Sequence, residues 1–319
     1  MSTGSIFSPE MASPGRRSGG GQDAPQRQFL IRPIREQEDL TGLMEIQYTT
    51  WGKEEAVTTH QIIAAMRNGG IVIAAYLQEK MVGFSYGFPG YKDGQVYLCS
   101  HMLAVLPEYR NTGLGWQLKL AQREAALEKG YTLITWTYDP LQAPNARLNL
   151  GKLRALARTY VVDYYGRMAD LINEGIASDR FVVEWHLQSP RVLEALTALS
   201  AEKASGPKDR TKDQDGKTDS SGAKRAWPAW FEAPKVNDLD LIRAEKQPDL
   251  TLTAPQIIVI IPGDFQRLKE ADLQEAIRWR EKTREIFLHY FRQGYAATDF
   301  YGDRERGFYL LEKPSGKEL

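Results

Sequence analysis

The chain holds 319 residues, 42% of them hydrophobic, which is enough for a full core and two packed units with tails. Lysine plus arginine and aspartate plus glutamate each number 41, so the net charge is zero and no global field selects nucleic acid or an anionic membrane as partner. A single cysteine, Cys99, excludes an internal disulfide framework and a structural zinc cluster, and points to a reducing, cytoplasmic setting without metal.

Residues 1–28 offer only Ile6, Phe7 and two methionines as larger apolar groups, too few for a secretory h-region, and are expected to be a disordered tail. No window reaches the roughly 18 apolar residues of a membrane span. A first domain is expected over 29–198. Within it, 29–35 alternates as a strand, Leu40, Leu43, Met44 and Trp51 follow at near-helical spacing, and a helix around 60–67 ends at Gly69-Gly70. Residues 71–77 and 81–88 read as strands about a short turn, and 95–105 as a third strand after a turn over 90–94. Next come a helix over 114–128, an apolar strand over 131–138, a helix over 146–160 and a late strand over 181–187. Residues 199–226 are expected to be a linker, because from Ser200 to Ala226 no Leu, Ile, Val, Met or aromatic residue occurs to offset ordering entropy. A C-terminal α+β unit over 227–319 opens with a β-branched run at 256–261, ended by Pro262-Gly263-Asp264. One long helix follows, with Leu273, Ile277, Arg280, Arg284, Phe287 and Phe291 in one stripe and Trp279 and Ile286 off it. A hairpin of 295–300 and 307–311 closes the chain.

The segment richest in chemistry is Val105-Leu-Pro-Glu-Tyr-Arg110-Asn-Thr-Gly113-Leu-Gly115, a strand exit that passes an arginine and two spaced glycines into a helix. Glycines let main-chain N–H groups converge on an anion, and a helix N-terminus adds partial positive charge. Arg110, Asn111, Thr112, Gly113, Leu114 and Gly115 are therefore expected to cradle a pyrophosphate. A dinucleotide fingerprint fails, since its third glycine position is Leu118, and no Gly-Lys-Ser/Thr marks a P-loop. Gly83-Phe-Ser85-Tyr-Gly87 matches the G-x-S-x-G of a hydrolase elbow, with Asp139 and His186 in that fold's chain order. An elbow needs strand, sharp turn and helix, whereas this stretch alternates as a strand and runs into Pro89-Gly90. A strand with two glycines is the competing reading.

The pattern R-x-x-G-x-G after an apolar strand, together with the order strand, two helices, three antiparallel strands, helix, strand, helix, strand over about 160 residues, resembles the GNAT acyltransferase superfamily. The resemblance implies an α+β fold, an α/β sandwich with a mixed, mostly antiparallel sheet flanked by helices, and acetyl-CoA or another acyl-CoA as co-substrate. It further implies that main-chain groups of Leu103, Ala104 and Val105 bind the pantetheine arm and polarise the thioester where this strand splays from the next. Trp136-Thr-Tyr-Asp139-Pro-Leu141, Asn145-Ala-Arg-Leu-Asn149-Leu-Gly-Lys152-Leu, Tyr164-Tyr-Gly166 and Ser178-Asp-Arg180-Phe-Val-Val-Glu-Trp185 look like a branch with a C-terminal extension, linked to N-acylation of amino acids with acetyl or succinyl groups. Many members place a tyrosine early in the helix after the strand over 131–138 to protonate the thiolate. Leu150 is the nearest match here, so the chain departs from the family pattern at the general acid.

An alkyl ammonium is almost wholly protonated at pH 7, so transfer to it calls for a base. His101, on the strand just before the thioester segment, is the first candidate, with a core histidine as the alternative. Asp139 is the second, with an Asx turn or helix cap as its alternative. Arg180, Lys152 and Arg147 offer cations for a carboxylate-bearing substrate, or are solvated charges. Trp51, Trp136 and Trp185 wall an acceptor pocket or fill core. The expected activity is N-acyl transfer to a small amine in a ternary complex, with no nucleic acid or membrane partner. The alternatives are a non-catalytic acyl-CoA sensor and a serine hydrolase using Ser85. The C-terminal unit has little core of its own and is expected to dock on the first domain, over the acceptor side or as a homodimer contact. Trp279, Arg280 and Arg284 then read as an anion site or as a packed ring with two paired arginines.

Overall fold

In a computed structural model, which describes residues 28–35, 40–166, 175–204, 227–239 and 247–313, ten strands hydrogen-bond into one sheet. The chain runs β1 (Leu30–Pro33), α1 (Leu40–Trp51), α2 (Thr59–Arg67), β2 (Ile71–Leu77), β3 (Lys80–Lys92), β4 (Gln95–Val105), α3 (Leu114–Glu128) and β5 (Leu133–Tyr138). It continues through α4 (Ala143–Ala146), a π-helix (Arg147–Lys152), β6 (Leu156–Val161), β7 (Arg180–His186) and α5 (Pro190–Ala204). The last elements are β8 (Gln256–Pro262), α6 (Phe265–Ala271), α7 (Leu273–Arg292), β9 (Ala296–Gly302) and β10 (Arg306–Glu312). The sheet order is β1-β2-β3-β4-β5-β7-β6-β9-β10-β8, antiparallel throughout except for β4 beside β5. The fold is α+β with a mixed, mostly antiparallel sheet.

Several expected boundaries shift for local reasons. The strand expected over 81–88 runs to Lys92, and the β3–β4 turn is only Asp93-Gly94, both with positive φ, as a type I′ hairpin requires. Gly90 marks no turn: it pairs with Tyr97, whose ring lies where a Cβ would stand. The helix expected over 146–160 is a short turn, a π-helix and β6. Leu148, Leu150, Leu153 and Ala157 mimic a helical stripe, but Arg154 takes φ 57° and the chain then enters the sheet between β7 and β9. The single long helix expected after Pro262 is two, because Asp272 leaves helical geometry and accepts from Glu275 N as the N-cap of α7.

α5 extends to Ala204, so the expected linker boundary at 199 falls inside a helix. Residues 1–27 of the expected tail and 205–226 of the linker lie outside the described residues. The C-terminal unit docks by sheet continuation, through the pair Ala157↔Ala297, and by α7, whose buried face is Ala276, Trp279, Arg280, Thr283, Ile286, Phe287 and Tyr290. Trp279 and Ile286 thus belong to the buried face, and Leu273 is exposed. Phe181 on β7 centres this junction, with ring centroids of Phe287, Phe291 and Tyr309 at 4.7, 5.3 and 5.6 Å. α7 lies on the face of the sheet that α3 also covers, while Trp230, Phe231 and Ala233 pack on the opposite face over Ile258, Ile260 and Phe308.

Candidate active site

The ladder between β4 and β5 has two rungs, Leu98↔Ile134 and Cys99↔Thr135. Beyond them the strands part, and the β5-facing main chain of residues 101–105 gains no strand partner, while the other edge of β4 is paired to β3 up to Val105 except at His101, which the shifted register skips as the extra residue of a β-bulge. The result is a notch lined on one arm by amides and carbonyls that water or a ligand must satisfy.

This arm leads into the glycine loop. Asn111 and Gly113 take φ of 62° and 84°, Thr112 Oγ1 donates to Tyr109 O at 2.7 Å, and Arg110 Nε donates to Val105 O at 3.2 Å, tying the loop to the strand end. The first helical bond of α3 is Gln117 N to Gly113 O, so the amides of Leu114 and Gly115 precede the hydrogen-bonded helix. Leu114 is buried and anchors the turn. A Cβ on Gly113 would meet nothing within 4 Å, and one on Gly115 only Leu103 Cδ2 at 3.9 Å. The main chain at both is therefore open to an approaching group, and no acidic side chain stands in the first turn of α3. Arg110, Asn111, Thr112, Gly113, Leu114 and Gly115 thus lie together, beside Leu103, Ala104 and Val105, and this arrangement fits a phosphate-bearing ligand.

Alternation along β4 buries Leu98, Ser100, Met102 and Ala104 and directs Cys99, His101 and Leu103 to the other face. His101 is exposed there, with Phe88 and Tyr86 at 5.6 and 6.2 Å between ring centroids. Partial burial by these neighbours lowers its pKa, so the imidazole is neutral at pH 7 and able to accept a proton. On the β5 arm the same face carries Thr137, whose Oγ1 lies 3.2 Å from Tyr165 Oη, and the Arg180 guanidinium stands 5.3 Å from the Tyr165 ring centre. Glu184, opposite Thr135 on β7, is a poor base: burial raises its pKa, but hydrogen bonds from His186 and Arg158 outweigh this and hold it at about 2.

Other candidates fall elsewhere. Both Asp139 oxygens bind the buried Arg280 guanidinium, and Oδ1 also accepts from Leu141 N in an Asx turn, so this carboxylate is a structural clamp rather than a free base. Arg284 likewise pairs with Asp179 at 2.8 and 2.9 Å, which replaces the anion-site reading of the two arginines. Trp136 points to the α3 face, edge-on to Trp185 at 6.0 Å, and is core rather than acceptor wall. Lys152 is exposed at the end of the π-helix, and Arg147 in that helix donates to Gly302 O on β9. Ser85 is fully buried in mid-strand, paired with Ile73 and Leu103, so no elbow exists and the hydrolase reading falls.

Sequence reasoning missed Lys119 and Tyr165. Lys119 shares the buried face of α3 with Leu118, Gln122 and Ala126, and a lysine at an inward helical position was the available signal. Tyr165 came into play only through the fold of the loop after β6.

A parallel strand pair thus splays beside the open N-terminus of α3. Residues 39–148 match the family model described as the acetyltransferase (GNAT) family, so this stretch of the chain is a GNAT acetyltransferase domain. No curated protein matches the chain. Among solved structures, it is similar to the ribosomal-protein-S18-alanine N-acetyltransferase from Escherichia coli, at 16% identity over 50% of this chain and 94% of that one, TM-score 0.41. A GNAT-family acetyltransferase from Streptococcus pneumoniae aligns at 16% identity over 49% and 98%, TM-score 0.41. Aminoglycoside 6'-acetyltransferase type Ii aligns at 18% identity over 50% and 97%, TM-score 0.39. Among the described residues, no helix is long and apolar enough to cross a membrane, and no group of three or more His, Cys, Asp or Glu is placed to hold a metal ion.

Proposed function

We propose that the protein transfers an acetyl or succinyl group from coenzyme A to the amine of a small metabolite, an amino acid or close relative, by direct attack in a ternary complex. The observation that carries this reading is the two-rung ladder between β4 and β5, which leaves an unpaired strand edge leading straight into the open amides at Gly113 and Gly115. The pyrophosphate would rest on the amides of Leu114 and Gly115. The pantetheine arm would extend as a strand along Leu103–Val105, and the thioester carbonyl would lie further along the same free edge, near His101, where a main-chain N–H polarises it as negative charge develops on its oxygen.

His101 would take the proton of the incoming ammonium, directly or through one water. The acceptor would enter on the face shared by His101, Thr137 and Tyr165, with the buried Arg180 guanidinium, which donates to Asp179 O at 2.9 Å, behind the Tyr165 ring as the nearby positive charge. His101 passes that first proton to solvent; attack by the neutral amine then forms the C–N bond, the C–S bond breaks with its electron pair on sulfur, and His101 takes the second N–H proton. The lone Cys99 supports a reducing compartment such as the cytoplasm.

Thiol release from acetyl-CoA and succinyl-CoA, measured against L- and D-amino acids, tests the reading. Amine-dependent release from either donor supports it. Tight CoA binding without release across the panel would replace it by a non-catalytic acyl-CoA sensor.

A further inference from the structure

Lys119 is 2% exposed, and among the described residues no carboxylate pairs with it. Its Nζ donates to Ser100 Oγ at 2.7 Å and to Gln122 Oε1 at 3.4 Å, and stands 3.7 Å from the centre of the Trp136 ring. Ser100 and Trp136 are the residues that immediately follow the last rung, Cys99↔Thr135, on the two strands. The amine therefore occupies the apex of the notch, at the level where a third rung would have formed. Filling that space is work a methionine or leucine does without burying a charge, so packing alone does not account for a lysine there.

We propose that Lys119 is the proton donor to the sulfur of the departing coenzyme A thiolate, a role that rests on the acyl-CoA reading of the notch. The free edge of β4 spans about 17 Å from Val105 to Ser100 at strand rise. An extended arm anchored at the glycine loop thus ends, at its thioester, toward the apex. The turn after β5, residues 139–150, contains no tyrosine to perform this step. As the amine nitrogen bonds to the thioester carbon, the C–S electron pair moves to sulfur, and an N–H of Lys119 delivers its proton there. Lys119 is left neutral while His101 holds the proton from the amine, and exchange with solvent restores both. Burial lowers the Lys119 pKa to about 7, with Cys99 on β4 the titratable neighbour that partly opposes the shift, so the ammonium is a stronger acid than a thiol near pH 8.5.

The test follows thiol release from acetyl-CoA with hydroxylamine, a small nucleophile that needs no dedicated acceptor pocket, in wild type and in Lys119→Met, with folding checked by thermal melting. The expected result is a roughly 100-fold lower kcat with the acetyl-CoA KM within twofold, and loss of the decline above about pH 7 that wild type shows as Lys119 deprotonates. Lys119→Arg keeps the charge, but its guanidinium is too weak an acid to protonate a thiolate, and it should recover less than tenfold. Lys119→Gln, which still bonds Ser100, gives the same reading should the methionine variant not fold. A folded Lys119→Met variant at more than half the wild-type rate, or full recovery by arginine, overturns this role alone. Wild-type protein that releases no thiol overturns the role and the acyltransferase reading together.

Discussion

Asp139 at the end of β5 and Arg280 on α7 meet across 141 residues of sequence in a two-pronged ion pair, Nη1 to Oδ1 at 2.7 Å and Nη2 to Oδ2 at 2.5 Å. Both side chains are buried, so the clamp pins the C-terminal unit to the strand that forms one arm of the notch. Removing one partner strands a charge in the core. Asp139→Ala or Arg280→Leu should each cost about 3 to 5 kcal/mol in denaturant unfolding, and the double replacement less than the sum of the two. Independent, additive costs would show that the pair contributes little.

The glycine loop separates ligand binding from folding. A Cβ at Gly115 would meet only Leu103 Cδ2 at 3.9 Å, so Gly115→Leu should leave the melting temperature nearly unchanged while raising the Kd for acetyl-CoA at least tenfold, because the side chain would occupy the approach to its amide. Gly113→Leu adds strain at φ 84° and should weaken binding as well, with a modest loss of stability. Calorimetric titration of both variants checks this. Unchanged affinity would remove the cradle from its assigned place.

His101 gives the pH profile a direction. Its pKa is lowered by burial, so the imidazole protonates below the ordinary histidine range, and wild-type turnover should hold at pH 7 and fall as pH drops through that pKa. His101→Gln should lose about 100-fold at neutral pH and progressively less toward pH 10, where the acceptor amine is neutral without help. An unchanged profile in the variant would assign proton removal to water.

What the sequence revealed and what it hid divide along range. The strands 71–77 and 95–105, the helix 114–128 and the arginine-glycine loop carry their own local signals of alternation, helical stripe and positive-φ glycine, and all stand where expected. β6 was hidden because the leucines before it fit a helical stripe and only its neighbours in the sheet pull the chain straight. Asp139 looked like a base because its partner lies on an element that sequence places in another unit. Trp136 and Lys119 show the same limit: strand parity sends the tryptophan to the α3 face, and only the third dimension reveals that the lysine meets it there.

The buried Lys119 also leaves a mark on stability that needs no substrate. Its pKa falls from 10.5 to about 7 on folding, so between those values the unfolded chain binds more protons than the native one, and this group makes stability rise with pH across that window. Below about pH 7 both states are protonated and the full cost of burying the ammonium is present; above about pH 10 both are neutral and the cost is gone. Lys119→Met removes the cost at every pH. The variant should therefore unfold at higher denaturant than wild type at pH 6, by the widest margin, and the margin should shrink steadily toward pH 10. Measuring the difference between the two proteins cancels the titration of other groups. A margin that does not change with pH would mean that Lys119 keeps an ordinary lysine pKa in the fold and holds its charge at the notch by other means.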